Sequence, residues 1–182
     1  MGKRIGIKSE GNYNEFIYNQ KDIPKNRWRY GFRSSAATGC GWIATHNALR
    51  LMGYPSNPQN LIRYYEWHFP FINGNFGTFI LNIVFFFRQK KFKVKLLVSS
   101  EKFDDAARKS DVCILFYGWH EKYKFGLHYV AVQYDKNRFW GYNTYSNSIK
   151  PDNLGNSLQK FLKQKRYFRA FLITIGDKRS CE

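Results

Sequence analysis

The sequence predicts an α+β domain, and three observations carry that prediction. Helical apolar spacing dominates residues 40–52, 58–68 and 79–90. Period-two alternation or short apolar runs then dominate 91–99, 112–117, 127–134, 139–145 and 167–175. Finally, Asp135-Lys-Asn-Arg138 reads as a tight turn between two of those runs, so that part of the sheet is an antiparallel meander. At 182 residues the chain is long enough for one domain with a real core, and 43% hydrophobic with 19% aromatic content suits a packed globule.

Taken in order, residues 1–26 form a polar lead-in with a turn at Asp22-Ile-Pro24. The domain proper spans 27–176, and 177–182 is a tail. Trp28, Tyr30 and Phe32 alternate with Arg27, Arg29, Gly31 and Arg33, as in a half-buried extended segment. Ala44, Ala48, Leu51 and Met52 recur at helical spacing after Cys40, and Gly53 with Pro55 stops that helix. Asn57 caps a second helix with Pro58 in its first turn. Pro70 and Asn73-Gly-Asn-Phe-Gly77 break the chain, and Thr78 is expected to cap a deeply buried helix over 79–90. Phe92, Val94, Leu96 and Val98 mark a strand, and 101–109 a short helix with acid first and base last. Val112-Cys-Ile-Leu-Phe-Tyr117 reads as a central strand. A basic, aromatic loop over 118–126 leads to Leu127–Tyr134, the hairpin partner Phe139–Tyr145, a helix near 153–164 and a last strand near 167–175.

Thirty Lys and Arg against thirteen Asp and Glu give a net charge of +17. The basic residues are spread along the chain, and neither a nucleic-acid-binding motif nor a zinc spacing appears, so nucleic acid is not the expected partner. A basic surface instead suits an acidic peptide or protein substrate and peripheral attraction to an anionic membrane face. Three cysteines, at 40, 113 and 181, make no disulfide framework. With no secretory signal and no apolar run long enough to span a bilayer, a cytoplasmic location is expected. No cofactor or metal is expected either.

Cys40 stands between two glycines where a helix begins. Unpaired N–H groups and the positive end of the helix dipole favour a thiolate at such a place. Thiol catalysis also needs a histidine and a group that orients it. His46 lies six residues along the same helix, about 240° round the axis, and cannot face the sulfur. His128 begins a strand whose hairpin partner carries Asn143. A turn at Asp135-Lys136 sets these two directly opposite. A turn centred on Lys136-Asn137 pairs His128 with Tyr145 and leaves Asn143 diagonal on the same face. In either register the Asn143 side chain is placed to accept the imidazole N–H. Cys113, inside an apolar strand, is expected in the core, and Trp42 and Trp140 in packing or at a cleft.

Thr38-Gly-Cys40-Gly-Trp-Ile-Ala, His128-Tyr-Val-Ala-Val and Trp140-Gly-Tyr-Asn143-Thr together resemble the papain-like cysteine peptidases. The likeness is nearest to the compact bacterial branch of bacteriocin leader-processing (C39-like) domains. The resemblance implies an N-terminal helix carrying the Cys, packed on an antiparallel sheet carrying the His and Asn. It implies Cys40 as nucleophile, His128 as base and then acid, and Asn143 as orienter. That family places an oxyanion-stabilising Gln about six residues before the Cys, where this chain has Ser34, so the Cys40 N–H with Ser34 or Ser35 would serve instead.

The expected function is a peptidase cleaving a restricted peptide through a Cys40 thioester. The alternatives are a thiol-dependent amidase, deamidase or acyltransferase on the same fold, and a non-catalytic papain-like module or basic nucleic-acid binder.

Overall fold

The computed structural model describes residues 15–68, 77–121 and 124–177. The chain breaks expected at Pro70 and Asn73–Phe76, the tail with Cys181, and the first fourteen residues lie outside them.

Six strands form one antiparallel sheet: β3 (Lys93–Leu97), β4 (Val112–Glu121), β5 (Lys124–Asp135), β6 (Arg138–Tyr142), β7 (Asp152–Gly155) and β8 (Tyr167–Gly176), in the order β3-β8-β4-β5-β6-β7. A separate pair, β1 (Arg29–Tyr30) and β2 (Arg33–Ser34), precedes the short helix α1 (Ser35–Thr38). The helices α2 (Cys40–Leu51), α3 (Pro58–Trp67) and α4 (Ile80–Gln89) cover one sheet face, where Ile114, Tyr129, Ala131, Ile173 and Ile175 join their core. The short helices α5 (Phe103–Arg108) and α6 (Leu158–Gln164) cover the other face, against Cys113, Leu115, Tyr117, Val130, Val132 and Leu172. Alternation along each strand therefore feeds two cores, which is why the central strands read as continuous apolar runs.

Several expectations needed correction. Trp28, Tyr30 and Phe32 do not share a face. Trp28 and Gly31 take positive φ (51° and 58°), the chain turns, and Tyr30 is buried while Phe32 is 70% exposed. Thr78 does not cap α4. Its hydroxyl donates to Tyr30 Oη (3.1 Å) and its carbonyl accepts from Tyr129 Oη (2.8 Å), while Phe79 holds the cap position. The α4 helix buries only one side, with Phe85 half-exposed on the other. Within the expected loop over 118–126, residues 118–121 and 124–126 extend the β4–β5 hairpin. Gly118 and Gly126 allow it, because the Phe168 and Trp119 rings lie where side chains at those glycines would stand. The expected helix at 153–164 starts later, at Leu158 with Ser157 as its cap, because 152–155 pairs with β6 as an edge strand.

The α2 helix is buried almost all round, from Cys40 to Leu49. Its polar side chains therefore need partners. Thr45 bonds Tyr65 Oη (2.7 Å). Asn47 takes the N–H of Ile17 on its Oδ1 (3.0 Å) and donates from Nδ2 to the Ile17 carbonyl (2.8 Å). His46 donates from Nε2 to the Glu15 carbonyl (2.9 Å) and contacts Ser56 Oγ through Nδ1 (2.9 Å). These bonds hold residues 15–23 against the domain as a strap, with Ile17 and Ile23 in the core.

Asn47→Ala removes both partners of the Ile17 peptide at once. The expected loss is about 1–3 kcal/mol in chemical or thermal denaturation, with the strap amides the first to lose hydrogen-exchange protection.

Candidate active site

Cys40 opens α2, as the small-residue and helix pattern requires, and its burial is nearly complete at 8% exposure. The glycines beside it serve internal packing rather than an approaching substrate. A Cβ at Gly41 would stand 2.4 Å from Thr78 Cβ, and one at Gly39 would meet the Ser35 carbonyl and the Trp42 ring nitrogen. The backbone N–H groups of Tyr129, Gly41 and Cys40 itself act on the sulfur. The thiol thus lies against β5 at the peptide that joins His128 to Tyr129. There β5 runs past the end of its ladder with β6, which starts at Ala131.

The hairpin turn is centred on Lys136 and Asn137, both at positive φ (48° and 61°), the combination that suits the twist of a two-residue hairpin. Asp135 pairs with Arg138 and Ala131 with Tyr142, the register that would set His128 opposite Tyr145. The ladder stops at Tyr142, and Asn143 turns away with φ 66°. That turn aims its main-chain carbonyl at His128 Nε2, at 2.6 Å. A carbonyl can only accept, so Nε2 carries the proton and Nδ1 the lone pair. The expectation for Asn143 is corrected in one respect: its backbone oxygen, not its side-chain amide, meets the imidazole.

The Asn143 amide is engaged elsewhere, by a residue that sequence reasoning missed. The Gln20 main-chain N–H donates to Asn143 Oδ1 (2.8 Å), and Asn143 Nδ2 donates to Gln20 Oε1 (3.2 Å). Gln20 Nε2 in turn donates to the Ala36 carbonyl of α1 (3.1 Å). Gln20 belongs to a single helical turn, Gln20–Asp22, started by Asn19. The only local signal for it was that Asx-type cap, 123 residues away from its partner.

Ser34 precedes α1 without a side-chain capping bond. Ser35 is fully buried; its hydroxyl donates to the Trp28 carbonyl and accepts from Trp42 Nε1 (3.1 Å). Its single proton is therefore committed away from the thiol. Trp42 is a core residue, and Cys113 is core as expected, with Ser110 Oγ at 2.9 Å.

The electrostatics reverse one expectation. Burial pushes the Cys40 thiol up to about 11, and the three N–H groups only partly offset it. Burial likewise lowers the proton affinity of His128; the Asn143 carbonyl opposes this, and the charges of Lys165 and Lys21 add to it. The resting pair is therefore a neutral thiol beside a neutral imidazole. Among the described residues no hydrogen bond joins the Cys40 sulfur to the His128 ring. Catalytic hydrogen bonds in empty sites are often long and tighten only around substrate. Among the described residues no three His, Cys, Asp or Glu side chains gather as a metal site requires, and no helix is long and apolar enough to cross a membrane.

No protein-family model matches the chain, and no curated protein matches its sequence. Among solved structures the chain is similar to the peptidase domain of Streptococcus ComA, a bi-functional ABC transporter involved in a quorum sensing pathway. The identity is 15% and the TM-score 0.51, over 76% of this chain and 91% of that one. A second match, the peptidase domain of Streptococcus mutans ComA in complex with a small-molecule inhibitor, has 17% identity and a TM-score of 0.39, over 58% of this chain and 80% of that one. The likeness is one of fold: the chain shares the fold of the first ComA peptidase domain.

With Cys113→Ser and Cys181→Ser removing the other thiols, alkylation of Cys40 by iodoacetamide is expected to be slow at pH 7. Its rate should climb about tenfold per pH unit toward 11, because only the thiolate reacts. A rate already level between pH 6 and 8 would contradict a protonated resting thiol.

Proposed function

We propose that this chain is a cysteine peptidase that cleaves a restricted peptide substrate through a Cys40 thioester. One observation carries the reading. The thiol that opens α2 lies at the peptide following His128, and the His128 Nε2 proton is held by the Asn143 carbonyl. That tautomer leaves Nδ1 as the base.

The chemistry follows from those positions. A seated substrate expels water and brings thiol and imidazole together. The Sγ–H proton passes to His128 Nδ1 as sulfur bonds the scissile carbonyl carbon. The oxyanion takes the Cys40 N–H as one donor. Ser34 is the candidate for a second, together with Gln20, whose amide has another proton besides the one given to Ala36. Ser35 is not, since its proton is held by Trp28. His128 then protonates the departing amine, the C–N bond breaks, and a thioester remains. Water, deprotonated by His128, attacks the thioester and frees the acid and the thiol. Asn143 keeps the ring in its tautomer throughout, and Gln20 keeps Asn143 in place.

A thiol near 11 implies that the proton leaves only as the new bond forms, so the peptidase has no standing ion pair. That arrangement favours a substrate that fits over general reactivity.

The test is cleavage of a library of internally quenched peptides by the wild-type chain, Cys40→Ala and His128→Ala, with thermal melts to confirm folding. Each variant should lose about four to six orders of magnitude in turnover, as removal of a member of such a catalytic unit does. Folded variants that cleave at the wild-type rate would overturn the reading.

A further inference from the structure

A cavity of about 420 Å³ lies on the His128 side of the site, and Cys40 does not line it. Tyr117 forms part of its wall, on β4 directly across the ladder from His128. Directly opposed side chains share a sheet face, with Cβ atoms about 4.5–5.5 Å apart. The Tyr117 ring makes a T-shaped contact with the imidazole (centroids 6.1 Å apart) and another with Phe161 of α6 (5.7 Å). These two rings fix its direction.

The residue is only 2% exposed, yet among the described residues its hydroxyl makes no hydrogen bond. The fully enclosed orphan atoms among those residues are Thr38 Oγ1, Arg50 Nε and Thr144 Oγ1. The Tyr117 oxygen is not one of them, so the little of this side chain that stays open includes its hydroxyl, at the cavity. The Asp152 carboxylate acts on Tyr117 and on Tyr145 in the same wall. It accepts from Ser148 Oγ (2.6 Å), however, and among the described residues it is bonded to neither phenol. Burial, and after it the negative charge that Tyr145, Cys40 and Asp152 can carry, pushes the Tyr117 phenol far above its usual range. Tyr117 therefore keeps its proton and stays a donor.

Polar groups out of water are nearly always bonded. A substrate that fills the cavity must therefore bring an acceptor for this proton. The chemistry of the proposed hydrolysis says which one. The imidazole protonates the departing amine, so the amine side of the scissile bond extends past His128 into this cavity. On that side of a peptide, the acceptor nearest the scissile nitrogen is the carbonyl oxygen of the same residue. We infer that Tyr117 is a substrate-binding residue whose hydroxyl donates to that oxygen. The enzyme then selects a leaving group with a carbonyl on the carbon that bears the scissile nitrogen: a peptide or amino-acid amide, not a plain alkylamine. The inference rests on the hydrolase reading above and narrows its substrate class.

Two measurements test it and separate it from that reading. In the first, the acyl part of a peptide that the wild-type chain cleaves is coupled to glycinamide or to isobutylamine. The two amines have the same branched shape, and only glycinamide carries the carbonyl. Release of each is followed by chromatography. Tyr117→Phe, which keeps both ring contacts, should lose about 10- to 100-fold in kcat/KM on the glycinamide substrate and far less on the other. Equal losses, or none on either, overturn the donor and leave the hydrolase standing.

In the second, Cys40→Ala with tyrosine isotope-labelled at Cζ is titrated with glycinamide and with isobutylamine. The Tyr117 signal is assigned by its absence from Cys40→Ala/Tyr117→Phe. Glycinamide should move it and isobutylamine should not. Movement with both amines, or with neither, overturns the donor. Selective movement with glycinamide, in a chain that cleaves no peptide, supports the donor and overturns the hydrolase reading.

Discussion

The site depends on the burial of α2. A helix covered on every side cannot leave its polar side chains unbonded, and Thr45, His46 and Asn47 sit on it fully buried. Their partners come from outside the helix: Tyr65 from α3, Ser56 from the turn before it, and the backbone of Glu15 and Ile17. The last two draw the strap across the domain. The strap then sets Gln20 against Asn143, and Asn143 sets the tautomer of His128. The need to satisfy a buried helix is thereby passed on, bond by bond, to the orientation of an imidazole at the opposite side of the site.

The same burial governs the thiol. A helix N-terminus stabilises an anion by less than about 2 kcal/mol even in favourable, partly buried cases. Removing a thiolate from water costs more, so the thiol stays protonated despite three N–H groups near it. Tyr30, Tyr117 and Tyr129 are pushed up by the same burial. Cys40 is thus surrounded by groups that hold their protons, and His128 is the nearby group able to accept one. Proton transfer there is a matter of geometry at the moment of reaction.

The basic composition also takes on a location. Most of the described cations are solvated surface, and two of them, the exposed Lys21 and the half-buried Lys165, line the cavity beside His128. Their separation of 144 residues along the chain hid that convergence from any pattern search.

What the sequence determined by itself was local. The apolar spacing after Cys40, with Gly53 beyond it, specifies a helix that starts at that residue, because helical periodicity and stop signals act within a few residues. Asn57 with Pro58 specifies the start of α3 in the same way. Alternation specifies the strands, and the Asp135–Arg138 turn brings His128 and Asn143 together, since two-residue hairpins fix register. The tertiary structure decided the rest. Whether Asn143 offers its amide or its carbonyl depends on a positive φ and on Gln20, 123 residues away. Whether 152–155 is helix or strand depends on an open edge of β6. Whether Cys40 rests as thiol or thiolate depends on how much of the core closes over it. Each of these is settled by a partner distant in sequence, and no local pattern carries that information.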